Sequence, residues 1–134
     1  MLQRDYFIRL IEEFQVALRK FLEKDEGDRD DAAIKDLYRQ YVGPYDEVRN
    51  LSVDELLAYS HDRWLPEQRM DRLHFAAELL YAEATFKANP LRAMLLDKAL
   101  KLYAYVDANS GVMSMDRLQK MQWIRQELGP EAQA

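Results

Sequence analysis

The amino-acid sequence predicts an all-α fold of about five or six helices, on three observations. Apolar residues recur at i, i+3 and i+4 along most of the chain, the spacing that gathers them on one side of an α-helix. Glycine and proline number four each in 134 residues, too few for the many tight turns of a β-sandwich or barrel. Those few fall between the periodic stretches, where they separate helices. The length suits one domain spanning residues 1–134, since domains cluster near about 100–150 residues. With 49% hydrophobic and 32% charged residues, the chain can fill a core and still solvate its surface.

A first helix is expected from about Asp5 to Lys24, where Phe7, Leu10, Ile11, Phe14, Leu18, Phe21 and Leu22 share one stripe. The acidic run Asp25-Glu26-Gly27-Asp28 ends it, and Asp28 or Asp30 can cap the next helix at the positive end of its dipole. Ile34, Leu37 and Tyr41 mark a second helix. It stops near Gly43-Pro44, where Gly43 permits a left-handed C-cap and Pro44 lacks the N–H that further helix needs. Ser52-Val53-Asp54-Glu55 has the pattern of a capping box and opens a short third helix, about Val53 to Tyr59. Pro66 suits the first position of a fourth helix reaching about Lys87, and Asn89-Pro90 starts a fifth that runs to about Ala108. After a turn at Asn109-Ser110-Gly111, Ser114 caps a last helix carrying Met115, Leu118, Met121 and Leu128, which Gly129-Pro130 stops. Residues 129–134 are expected to fray.

The fourth helix differs from the others. At about 100° per residue, Leu73, Ala77, Leu80, Tyr81 and Ala84 fall on one face, and Phe75, Leu79, Ala82 and Phe86 on the opposite one. Such a helix is sandwiched. The fifth is apolar over a similar arc, so the two should form a central hairpin, about 66–108, covered by the one-faced first, second and last helices.

That hairpin spans about one tetratricopeptide period of 34 residues, and Asp97-Lys98-Ala99-Leu100-Lys101-Leu102 looks like the end of the motif's second helix. Leu80 and Arg92 stand where the motif has Gly and Ala, and the Pro expected after the second helix is absent. Through Arg4-Asp5-Tyr6, Ile11-Glu12-Glu13-Phe14, the Ser52 box and Ala99-Leu100, the chain resembles a family of short, uncharacterised bacterial tetratricopeptide-like proteins. The resemblance implies an all-α fold and a bacterial cytoplasmic setting, and it implies no activity.

Composition narrows function by exclusion. A net charge of −5 and a pI near 5.1 argue against a nucleic-acid surface, which draws its affinity from Lys and Arg displacing counterions. No apolar run is long enough to cross a membrane, and the charged N-terminus does not read as a signal peptide. Without cysteine there is no disulfide framework, thiolate zinc site or thiol nucleophile. The cytoplasm is the expected compartment, and no cofactor or metal is indicated.

Two sets of residues remain as candidates. His74 and Glu78 lie four apart on the fourth helix, where the carboxylate could orient the imidazole, with Tyr81 a turn further on. The simpler reading is a local polar contact beside the packed face. His61-Asp62 is expected in a loop after the third helix. The acidic stretch Asp25–Asp31 lacks the ligand order of a calcium loop and reads as a solvated cap. Among the aromatics, Trp123 falls about 150° from the stripe of the last helix, so it either closes against another helix or forms an interface. Tyr105 and Tyr59 are weaker members of that class.

Three functions follow as expectations. The first is a non-enzymatic protein-interaction module built on helical hairpins. The second is a small-molecule-binding or catalytic protein with a polar pocket near His74, Glu78 and Tyr81. The third is a self-assembling homodimer, through Trp123 or the outer side of the first helix at Leu2, Tyr6 and Val16.

Overall fold

The computed structural model describes residues 2–129, with side chains from Asp5 onward. Among them are seven α-helices and no strand: α1 (Leu2–Glu23), α2 (Asp31–Tyr41), α3 (Tyr45–Val48), α4 (Val53–Arg63), α5 (Arg69–Ala84), α6 (Leu91–Asn109) and α7 (Met115–Leu128). The helix beyond the expected five or six is α3, a single turn. Its four residues are too few to display an apolar period. It forms because Pro44 holds the chain at φ −55° while its carbonyl accepts from the amides of Glu47 and Val48 at 3.1 and 2.9 Å.

Three local expectations need correcting. Pro66 opens a separate 3-10 turn, Pro66–Gln68, and α5 begins only at Arg69. The helix α4 continues to Arg63, so His61 and Asp62 sit in its last turn rather than in a loop. Gly43 is not left-handed, since the only positive-φ glycines among the described residues are Gly111 and Gly129. What Gly43 supplies is space: a Cβ there would stand 2.6 Å from the Tyr59 hydroxyl and 3.1 Å from Cγ1 of Val48. The expected caps are in place. Asp30 accepts from the Ala33 amide at 2.8 Å, Ser52 and Glu55 form the reciprocal box at 3.1 and 2.9 Å, and Ser114 accepts from the Arg117 amide at 3.1 Å. Gly129 ends α7 at φ 84°. The rest of the tail expected to fray, like the Leu2 side chain, lies outside the described residues.

The sandwiched helix is α5. Leu73, Ala77, Leu80 and Ala84 are buried on one face, and Phe75, Leu79 and Ala82 on the other. Toward α1, Phe75 stacks on Phe14 with centroids 4.2 Å apart, and Phe86 meets Phe21 at 5.8 Å. Tyr41 of α2 sets its edge against Phe14 at 5.1 Å. The most extensive partner of α5 is α6. The two run antiparallel, for Glu78 reaches Tyr103 while the Ala84 carbonyl reaches Arg92. A second reversal brings α7 back along α6, pinned by the buried Arg117, whose guanidinium donates to Asp107 at 2.7 Å and to the Val112 carbonyl at 2.6 Å.

Candidate functional site

Two carboxylates interrupt the apolar surface of α5, and both are buried. Glu78 and Glu83 are five residues apart, hence about 140° around the helix, so each faces a different neighbour. Burying an ionised carboxylate is costly unless donors surround it, and both are surrounded.

Glu83 is fully buried. Tyr45 of α3 donates to it at 2.7 Å, Tyr38 of α2 at 3.3 Å, and the Arg49 guanidinium at 3.1 Å. Lys87 adds an ammonium at 3.9 Å and also reaches Asp31. Burial, reinforced by the Glu83 charge, pushes the phenols of Tyr38 and Tyr45 well above the ordinary tyrosine range. Both therefore remain hydroxyl donors at any physiological pH. This cluster fastens α2 and α3 to α5, and Lys98 extends it to α6 by donating to the carbonyls of Arg49 and Leu51. Sequence reasoning missed it. The available signal was a glutamate inside a helix that is apolar on both faces, which has no solvent to turn to.

Glu78 faces the opposite side. It accepts from the Tyr103 hydroxyl and from the Lys120 ammonium, the latter at 3.0 and 3.1 Å. Burial pushes the Tyr103 phenol up, with the Glu78 charge adding to it. Burial also works against the charge on Lys120, yet Glu78 and Asp116 more than offset it and raise its pKa. His74 is not hydrogen-bonded to Glu78. Its Nε2 lies 3.9 Å from the carboxylate, buried and without a hydrogen-bond partner. Burial lowers the His74 pKa against the pull of Glu78, which keeps the ring neutral at pH 7. His74 and Glu78 are thus neighbours at ion-pair distance, while Glu78 lies inside the packed face and takes its hydrogen-bond partners from α6 and α7.

Tyr81 links this cluster to Trp123. The Lys120 ammonium lies 5.3 Å from the Tyr81 ring, Tyr81 meets Trp123 edge to face at 5.7 Å, and the Arg92 guanidinium covers Trp123 at 5.8 Å. Arg92 is itself held by Glu127 at 3.0 Å and by the Ala84 carbonyl at 3.1 Å. One member of the second set therefore joins the first: His74, Glu78, Tyr81 and Trp123 form one edge between α5 and α7. Trp123 is packed on one side and 37% exposed. Tyr105 and Tyr59 stand elsewhere. Tyr105 lines a shallow groove with Val53, Leu57 and Lys101, and Tyr59 lies edge-on to Trp64 at 5.6 Å beside Gly43.

Beside Trp123 runs a feature that core periodicity did not reveal. Met115, Gln119, Gln122 and Gln126 are exposed at i, i+4, i+7 and i+11 on the outer face of α7, an uncharged stripe on a chain one-third charged. Val112 and Met113, 64% and 75% exposed, prolong it at the helix N-terminus.

Compared with protein-family models, curated proteins and solved structures, the chain matches none. Among the described residues, no helix is long and apolar enough to cross a membrane, and no three His, Asp or Glu side chains are grouped to hold a metal ion.

Proposed function

We propose that the chain is a non-enzymatic protein-interaction module whose contact surface is the outer side of α7 and whose partner presents an amphipathic helix. The observation that carries this reading is Trp123, a partly exposed indole fixed by Tyr81 and Arg92 at the border of the uncharged stripe Met115, Gln119, Gln122 and Gln126. Interface cores are enriched in Trp and Met and depleted in Lys, Glu and Asp. A ring already held in place loses little freedom on binding, which is how anchor residues gain their weight. The glutamine amides supply donors and acceptors along a path where no charge need be desolvated. A helix laid against α7 would bury its own apolar side on Met115 and Trp123, in the helix-to-groove manner. The α5–α6 pair is of tetratricopeptide-like length, about 34 residues, and hairpins of that kind present stacked-helix surfaces to partners.

A photo-crosslinking residue at Gln122 should capture a partner helix, and Trp123→Ala should weaken the complex rebuilt from purified components by about tenfold or more. Unchanged affinity in Trp123→Ala, with equal capture from the opposite side of the molecule, would overturn the reading.

A further inference from the structure

We propose that α1 pairs with α1 of a second copy of this chain, antiparallel, with the two-fold axis at the level of Ile11. This contact is separate from the α7 surface and does not depend on it.

The core stripe of α1 is Phe7, Phe14, Leu18 and Phe21, all buried. A second stripe occupies the far side at spacings of three and four: Tyr6, Arg9, Glu13, Val16 and Lys20, every one exposed. The spacing is that of a heptad seam, but three of its five positions, Arg9, Glu13 and Lys20, are charged, so pairing along it rests on charge complementarity more than on apolar burial. Tyr6 is 67% exposed and Val16 is 40% exposed, and Arg9, Glu13, Val16 and Lys20 line a shallow open groove along the helix.

Charge decides the occupant and the register. A parallel pair of copies would set Arg9 against Arg9 and Glu13 against Glu13, which is repulsive at each layer. An antiparallel pair centred at Ile11 sets Arg9 against Glu13 of the second copy, twice by symmetry, and Tyr6 against Val16, also twice. Sliding by one further heptad step brings Arg9 against Lys20 and loses the match. On the flank, Asp5 meets Arg19 of the second copy. Glu12 meets its own copy at the axis, the single repulsive pair of the register. An isologous contact of this kind needs one self-complementary patch, and the Arg9/Glu13 pair together with Tyr6/Val16 is such a patch.

Sedimentation equilibrium of the full chain from about 10 µM to 1 mM in low salt tests it. The chain should dimerise, less tightly as salt rises. Arg9→Glu and Glu13→Arg should each weaken the dimer by about tenfold or more, and Glu12→Gln should tighten it. Mixing the two charge-reversed variants should restore association. In the mixed pair the glutamate introduced at position 9 meets the arginine introduced at position 13, and the unaltered Glu13 of one chain meets the unaltered Arg9 of the other. That mixture controls for any change in α1 itself, since neither chain alters on mixing. A monomer throughout the range would overturn the proposal. So would a dimer that ignores both reversals, and if Trp123→Ala abolished that dimer the self-contact would belong to α7 instead.

Discussion

Glu83 shows how a single buried charge can organise its surroundings. Its carboxylate is inaccessible and is met by two phenols and a guanidinium, so truncating it leaves the buried Tyr38 hydroxyl without its acceptor and takes the shared partner from half-buried Tyr45 and Arg49. Breaking a buried ionic cluster in this way costs about 3–5 kcal/mol, and Glu83→Ala should lower the urea-derived stability by that amount. An exposed carboxylate such as Glu12 should respond by less than about 0.5 kcal/mol. His74 gives a pH dependence of definite sign. Its folded pKa lies below the ordinary value of 6.5, chiefly because it is buried. As pH falls through that ordinary value, the unfolded chain therefore takes up a proton that the folded chain resists. Stability should fall between about pH 7 and 5 on this account. In His74→Phe the loss over that window should be smaller than in the parent chain, as read by urea midpoints at both ends; equal slopes would dismiss the effect.

At the scale of elements, the junction of α2, α3 and α4 depends on the missing side chain of Gly43. A methyl group there would press on the Tyr59 hydroxyl at 2.6 Å and on buried Val48 at 3.1 Å. Overpacking of this kind costs about 1–3 kcal/mol, so Gly43→Ala should be destabilising in thermal or urea unfolding. Adding Tyr59→Phe should recover part of the loss, because it removes the nearer atom; no recovery would move the blame to Val48. The boundaries of most elements were legible because their signals are local. Asp30, the Ser52-Glu55 box, Ser114 and Gly129 are capping residues that act within one turn. The turn α3 and the reach of α4 to Arg63 were not, since a four-residue helix carries no period and a helix end with Ser60 buried against α5 depends on tertiary contact.

For the whole molecule, the two-faced character of α5 was readable from the spacing of Leu73, Ala77 and Leu80 against Phe75, Leu79 and Ala82. The covering helices followed from it. The candidate site was legible only in part. His74, Glu78, Tyr81 and Trp123 could be singled out by residue type, but their union along one edge required Lys120, a surface-type residue whose ammonium is drawn inward by Glu78. Glu83 and its tyrosines escaped because hydrogen-bond partners separated by 38 and 45 positions leave no mark on periodicity. These buried carboxylates also settle something apolar packing leaves open. A helix greasy on opposite sides can be turned about its axis and still bury comparable surface. Turning α5 by about half a turn, some two positions, would exchange its apolar faces but carry Glu78 away from Tyr103 and Lys120 and Glu83 away from Tyr38, Tyr45 and Arg49. The pair works as a two-pronged key, admitting one rotational setting of the central helix and so a single arrangement of the helices around it.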